Sequence, residues 1–408
     1  MGEIKLSQRA LQTPPSPIRR LAHLASQARR AGTKVYHLNI GQPDIESPPE
    51  FYEGVRRFSD KVLAYEASSG NDRLREAWSA YMNKTLGLAT SSSDFLITTG
   101  ASEALIFLFM TCCDPGDEFI IFDPTYANYI GFAAIAGVKL VQVDCAMKDN
   151  FALPDKSAIE SKITERTRGI LLCSPNNPTG TIYSKEEISM LLEICDRRNI
   201  FFIADETYRE FVYDDHTPLS VLHLAPRNDR VIVVDSLSKR FSLCGARIGC
   251  LLTSNKQVLA TTLNLAQARL ASPTLDQWAA AYMLENISLD FVEQIKRKYE
   301  RRRNVLFDSL ATVKGAIAHK PGGAFYAVVQ LPVENAEHFA SYLLSEFSLN
   351  GATTFVAPAS GFYMQNGRGL SKVRIAYVLN ESDIESAVDV IKAGLDSYYT
   401  AVPARRSA

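Results

Sequence analysis

The stretch "GILLCSPNNPTGTIYSKEEISMLLEICDRRNIFFIADE", Gly169 to Glu206, places a helix pattern between two apolar runs. "GILLCSP" and "IFFIADE" are too uniformly apolar to offer water one face, so each reads as a strand buried on both sides. Between them, "SKEEISMLLEICDRRN" opens at Ser184 with Glu187 three residues later, the capping-box signature of a helix start. Strand, helix and strand in that order predict a parallel pair joined by a crossover helix. The same alternation extends outward in both directions. "FLITTG" (Phe95 to Gly100), "EFIIFDP", "KLVQVD", "RVIVVDS" and "IGCLLTS" are further strands with amphipathic stretches between several of them.

The predicted fold class is therefore α/β: a large domain over residues 50–295, with a mostly parallel seven-stranded sheet flanked by helices. After Leu289 the grammar changes. A long charged helix pattern runs to about Thr312, followed by a strand pair around "GGAFYAVVQL" and helices at Ala336 and Ser382. This predicts a smaller α+β domain over residues 296–408. Residues 1–49, including "VYHLNIGQPD", hold too few elements to fold alone and are expected to pack with the smaller domain. No internal repeat is visible, and the final "PARRSA" reads as a frayed tail.

Composition excludes several classes of function. Lys and Arg number 44 against 45 Asp and Glu, so no net field favours nucleic acid or an anionic membrane. The basic run "KRKYERRR" (Lys296 to Arg303) has helical spacing and reads as a solvated helix face. Seven cysteines without a CxxC, and six scattered histidines without HExxH, argue against a disulfide framework and a metal site. No signal-peptide core or membrane-length apolar run is present, so a cytoplasmic protein is expected.

Three stretches carry chemistry. In "SLSKRFSLCGARIG" (Ser236 to Gly249), serine hydroxyls and Arg247 surround Lys239, as groups gathered around an anion would. A lysine beside a captured phosphate ester points to a Schiff base with a phosphorylated aldehyde cofactor. In "TTGASEAL", a strand turns at Gly100, Ala101 and Ser102 into a helix whose free N–H groups can hold an anion. In "IADETY", Asp205 ends an apolar strand, where a carboxylate is costly unless paired. A carboxylate there can hold a proton on a pyridine nitrogen, and Tyr208 can reach the ring's phenolic oxygen. The plainer reading is a helix-capping Asp and a packing Tyr.

"SPNNPTG" (Ser174 to Gly180), "ADETY", "SLSKRFSLCGARIG" and "VRIAY" occur in this order, and the chain resembles the class I aminotransferases of the fold type I pyridoxal-phosphate enzymes. The resemblance runs from "SPIRRL" to "RIAYVLNESDIESAV" and is greatest for the aspartate-type members. It implies pyridoxal 5'-phosphate as cofactor, with Lys239 the Schiff-base lysine and Asp205 the partner of the ring nitrogen. Asn177 and Tyr208 match the pair at the ring hydroxyl, and Tyr126 the aromatic stacked on the ring. Ala101, Ser102, Ser236, Ser238 and Arg247 match a phosphate cup. Arg374 is similar to the arginine that clamps the substrate α-carboxylate, and Gly41 to a backbone contact with it. Tyr65 resembles a tyrosine that reaches the neighbouring subunit's phosphate, which implies a homodimer with shared sites.

The activity so implied is transfer of an amino group between an L-amino acid and a 2-oxo acid by a ping-pong mechanism, with Lys239 moving the proton. Two alternatives stay open. A β-lyase or a cyclopropane-forming synthase would use the same constellation. A non-catalytic, cofactor-sensing regulator would need an added basic helix-turn-helix domain, for which a match beginning near residue 17 leaves no room. For the substrate side chain, Arg269 in "AQARLASP", Arg19 and Arg20 are the candidate readers.

Overall fold

The computed structural model describes residues 4–401, so the terminal "PARRSA" lies outside the described residues. The strands are β1 (Lys34–His37), β2 (Phe95–Thr99), β3 (Glu118–Asp123), β4 (Lys139–Asp144), β5 (Thr167–Cys173), β6 (Phe201–Asp205) and β7 (Val231–Ser236). They continue as β8 (Ile248–Leu252), β9 (Ile317–Ala318), β10 (Tyr326–Gln330), β11 (Ala352–Phe355), β12 (Ala357–Pro358) and β13 (Lys372–Ala376). All seven strands read from the middle of the sequence enter one sheet, in the order β2-β8-β7-β6-β5-β3-β4.

Its central and far strands are parallel, whereas β8 runs antiparallel to both β2 and β7. The cause is chain length. Only residues 237–247 separate β7 from β8, and a parallel crossover needs a dozen residues or more. Between β5 and β6 the helix Lys185–Arg198 makes the expected crossover, with the Ser184–Glu187 capping box formed and Asn199 in the left-handed conformation at its end. Strands β3, β5 and β7 are buried almost throughout, as continuous apolar runs require.

The C-terminal strands form a separate antiparallel sheet in the order β12-β13-β10-β9. The helices Leu289–Leu310, Ala336–Ser345 and Glu381–Ala401 accompany it in the chain. Strand β1, from the N-terminal segment, pairs in parallel with β11, Lys34 opposite Ala352 through His37 opposite Phe355.

The basic run in the Leu289–Leu310 helix corrects the expectation of a wholly solvated face. Arg302 and Arg303 are buried, Arg302 on Asp44 at 2.6 Å and Arg303 in a fork onto Asp214 at 2.6 and 2.7 Å. All seven cysteines are free thiols. Among the described residues, no helix is long and apolar enough to cross a membrane.

Candidate active site

The parallel strands end together. Cys173, Asp205 and Ser236, the last residues of β5, β6 and β7, open onto one cavity of about 660 Å³. Ligands of open α/β sheets bind at such carboxyl ends. Every residue predicted to hold the cofactor or the substrate α-carboxylate lines this cavity except Tyr65, which is 81% exposed. A second hollow of about 670 Å³, walled by Leu192, Asp196, Arg227 and Arg230 among others, contains none of the predicted residues.

One wall is an anion cradle. The helix Gly100–Cys112 begins at the end of β2, and no side chain caps its first turn. Its free N–H groups and dipole therefore face the cavity beside Ala101 and Ser102. Arg247 reaches this turn, donating to Cys244 O at 2.9 Å and lying 3.5 Å from Thr99 O. It holds a left-handed backbone, φ 56°, an uncommon conformation for a non-glycine residue and one that clusters at functional sites. Close approach is secured by two glycines. A Cβ on Gly249 would stand 2.4 Å from the Gly100 carbonyl carbon, and one on Gly100 would stand 2.7 Å from Arg247 Nη2.

Ser238 and Ser236 complete the cradle with hydroxyls 2.9 Å apart. Ser236 has a second duty, since its Oγ accepts from Ser238 N and caps the short helix Leu237–Arg240.

Asp205 lies buried at the floor. Its Oδ1 accepts from Thr207 Oγ1 at 2.7 Å and Thr207 N at 3.2 Å, and its Oδ2 accepts from Tyr129 Oη at 2.6 Å. Burial pushes the carboxyl above its usual range, while these bonds oppose that rise by favouring the charged form. The Tyr208 hydroxyl lies 2.9 Å from Tyr326 Oη and 3.4 Å from Asn177 Nδ2. Tyr126 forms an aromatic wall, oriented by Asn128 through its hydroxyl and by the Tyr129 ring edge.

Lys239 points its amine at Gly41 O, 3.0 Å away, with Cys244 Sγ at 3.6 Å. Burial pulls the ammonium below the ordinary lysine range, with Arg374 and Arg247 adding to the fall and Cys244 opposing it. Gly41 is obligatory in another sense, because a Cβ there would overlap the Tyr326 hydroxyl.

Arg374 closes the opposite end. It is 1% exposed, donates to Asn39 O and to Asn177 Oδ1 (3.3 Å), and lies over the Tyr326 and Phe362 rings at 4.6 and 4.9 Å. Its Nε has no partner, and among the described residues no carboxylate pairs with it. A buried guanidinium without a counterion makes this a seat for an anion.

Of the three candidate side-chain readers, only Arg19 lines the cavity. Arg20 is ion-paired with Glu337, and Arg269 is paired with Glu103 at 3.2 Å and bonded to Ser272. Sequence reasoning missed Tyr129, Thr207, Tyr326 and Asn39. Thr207 had a signal, since a hydroxyl two residues after a strand-end Asp is the setting of an Asx-type turn.

The cavity fits a phosphorylated pyridine aldehyde. An uncapped helix start with Arg247 offers a phosphate cradle, and Asp205 and Tyr208 offer partners for a ring nitrogen and a ring hydroxyl. Lys239 offers the amine, and Arg374 a place for a second anion.

Residues 33–391 match the family model for aminotransferases of class I and II. The probable aspartate/prephenate aminotransferase of Aquifex aeolicus is 30% identical over 394 residues, covering 96% of this chain and 98% of that protein. The aspartate/prephenate aminotransferase of Thermus thermophilus is 30% identical over 388 residues, 94% and 97% of the two chains. Among solved structures, the Thermus thermophilus aspartate aminotransferase with maleate has a TM-score of 0.86 at 28% identity, covering 96% of this chain and all of that one. An alanine aminotransferase from Pyrococcus furiosus gives a TM-score of 0.87 at 28% identity with the same coverage.

Proposed function

The chain belongs to the class I and II aminotransferases, a pyridoxal-phosphate-dependent family, and on that premise we propose that its cavity moves an amino group between an aspartate-type L-amino acid and a 2-oxo acid. One observation carries this reading. A half-buried lysine amine, a buried strand-end carboxylate and a buried guanidinium without a counterion share a single cavity. Bound there, pyridoxal phosphate supplies an aldehyde that condenses with amines and a protonated ring that accepts the electron pair left at Cα.

The chain's own groups do the rest. Arg374 grips the α-carboxylate of either substrate in a two-pronged fork. The Gly100–Cys112 helix start, Ser238 and Arg247 hold the phosphate, with Ser236 beside them. Tyr126 covers the ring, while Asn177 and Tyr208 bind its hydroxyl. Asp205 keeps the ring nitrogen protonated. Lys239, whose surroundings pull its ammonium below the ordinary range, would take the proton from the substrate Cα and deliver it to the cofactor carbon on the far side of the amino nitrogen. Arg19 is our choice for the side-chain carboxylate, because Arg20 and Arg269 are occupied elsewhere.

We read the molecule further as a cytoplasmic homodimer, a 50–295 domain carrying the cofactor and a 296–408 domain joined by the first 49 residues. Seven unbridged thiols support the compartment. Exposed Val62, Leu63 and Tyr65, at 71, 62 and 81%, support a partner on that face.

A panel of amino donors with 2-oxoglutarate as acceptor tests the activity, with aspartate expected among the best donors. Borohydride reduction is expected to fix the cofactor on Lys239, and recovery on another lysine overturns the assignment.

A further inference from the structure

Beneath the cavity floor lies a group of charges that the reaction does not touch. Arg209 donates to Glu206 at 2.7 Å, Glu210 at 3.0 Å and Asp235 at 3.1 Å. Arg240 donates to Glu210 at 2.8 Å and to Asp235. Both arginine side chains and Asp235 have no exposed surface, and Glu206 and Glu210 are nearly as buried. Trp78 Nε1 lies 3.3 Å from Asp235 Oδ2, while Ser220 Oγ and Val221 N donate to Glu206 Oε1. None of the five charged residues lines the cavity.

Their places in the chain are systematic. Glu206 follows Asp205, Arg209 and Glu210 follow Tyr208, Asp235 precedes Ser236, and Arg240 follows Lys239. In β7 successive side chains point to opposite faces, so Ser236 on the cavity side turns Asp235 underneath.

Stability alone does not account for the group. Well-packed apolar residues often replace buried ion clusters without loss. This one is also incompletely satisfied, because Glu210 Oε2, Arg209 Nε and Arg240 Nε have no partner. Forked, directional bonds supply register, which apolar packing does not.

We propose that Arg240 is a positioning residue for Lys239. With Arg209 it locks the end of β6, the end of β7 and the short Leu237–Arg240 helix into one register from below. Arg240 is the only member on that helix, and its fork ties the residue after Lys239 to β7 through Asp235 and to the segment after β6 through Glu210. Asp235 also accepts from Ser236 N at 2.7 Å, which extends the tie into the cradle. The inference rests on Lys239 being the cofactor lysine.

The test compares Arg240→Lys with Arg303→Lys in the full-length holoenzyme. A lysine keeps the charge but cannot bridge two acids in a plane. Arg303 is equally buried and forks onto Asp214, and neither of the two lines the cavity or bonds to the group of Arg209 and Arg240. Both variants should lose thermal stability to a similar degree. Only Arg240→Lys should slow the appearance of visible absorbance when pyridoxal phosphate is added to cofactor-free protein, and shift the pH midpoint of that absorbance. Its kcat should fall about tenfold to a hundredfold, the scale of a misplaced reacting group, with the amino-acid KM little changed.

If Arg240→Lys fails to fold, Glu210→Gln replaces it, since Gln keeps the shape and the shared acceptor. A smaller shift in the same readouts is then expected. Wild-type absorbance, capture rate and kcat in a folded Arg240→Lys or Glu210→Gln overturn the proposal, as do equal effects in Arg303→Lys. Borohydride labelling of the wild type separates the layers. Cofactor fixed away from Lys239 overturns both readings, whereas labelled Lys239 with an unaffected Arg240→Lys overturns this one alone.

Discussion

Arg374 distributes its guanidinium over Asn39, Asn177 and two aromatic rings, yet meets no carboxylate. Burial pulls its pKa down, but an arginine stays charged at neutral pH, so the site carries a standing demand for an anion. Arg374→Ala should weaken amino acids and 2-oxo acids alike, because both present an α-carboxylate. The loss in kcat/KM should be on the order of 3 kcal/mol for each class. Arg19→Gln should behave differently, lowering kcat/KM for dicarboxylic substrates and sparing monocarboxylic ones. A paired donor series measures both variants. At this scale the sequence was legible where a residue stood in an unusual setting: a lysine among anion binders, or an aspartate ending an apolar strand. Tyr129 and Tyr326 were not legible. They sit in "YANYIGFAAIA" and "AFYAVV" as core tyrosines do, and they are buried like core, so only the fold reveals the hydroxyl's partner.

The sheet was legible as elements because β3, β5, β6 and β7 are apolar without alternation. The reversal at β8 required counting the residues after β7 rather than reading their pattern. The buried half of "KRKYERRR" was illegible, since its acids, Asp44 and Asp214, lie far away in sequence. The end of β3 offers a measurable consequence. Asp123 is buried there, with Oδ2 accepting from Met364 N at 2.8 Å and Oδ1 unpartnered. Burial pushes its carboxyl from 3.8 to about 7, so the folded form keeps a proton that the unfolded chain has released. The stability this group confers is full below about pH 4 and is lost as pH rises towards 7. Asp123→Asn keeps the acceptor for Met364 and removes the ionisation. Its melting temperature should therefore gain on the wild type between pH 5 and pH 8, by up to about 3 kcal/mol of stability. Parallel thermal scans of cofactor-free protein at the two pH values check the sign.

At the scale of the whole molecule, the exposed Tyr65 is the residue whose role one chain cannot explain. If it serves the phosphate of a second copy, Tyr65→Asp and Lys239→Ala should each be inactive as homodimers. Unfolding and refolding an equal mixture should restore activity, up to about a quarter of wild type, because one site in each mixed dimer is intact. No recovery with mixed dimers present assigns Tyr65 to its own chain. The seven strands of the large sheet and a strand pair near the end of the chain followed from local pattern, whereas the order of the strands within the sheet did not. The partnership of β1 with β11 did not, because pattern does not say which distant strand completes a pair.

That partnership sets a schedule for synthesis. A ribosome releases β1 and must add roughly 315 more residues before β11 exists to receive it. At about 5–20 residues per second the strand waits roughly 15 to 60 s. The cavity keeps the same clock, since it needs Ser16 and Arg19 from before β1 and Arg374 from after β11. A nascent chain stalled between His37 and Ala352 carries β1 without its partner and lacks Arg374, so it should be sticky and inert rather than a weakened enzyme.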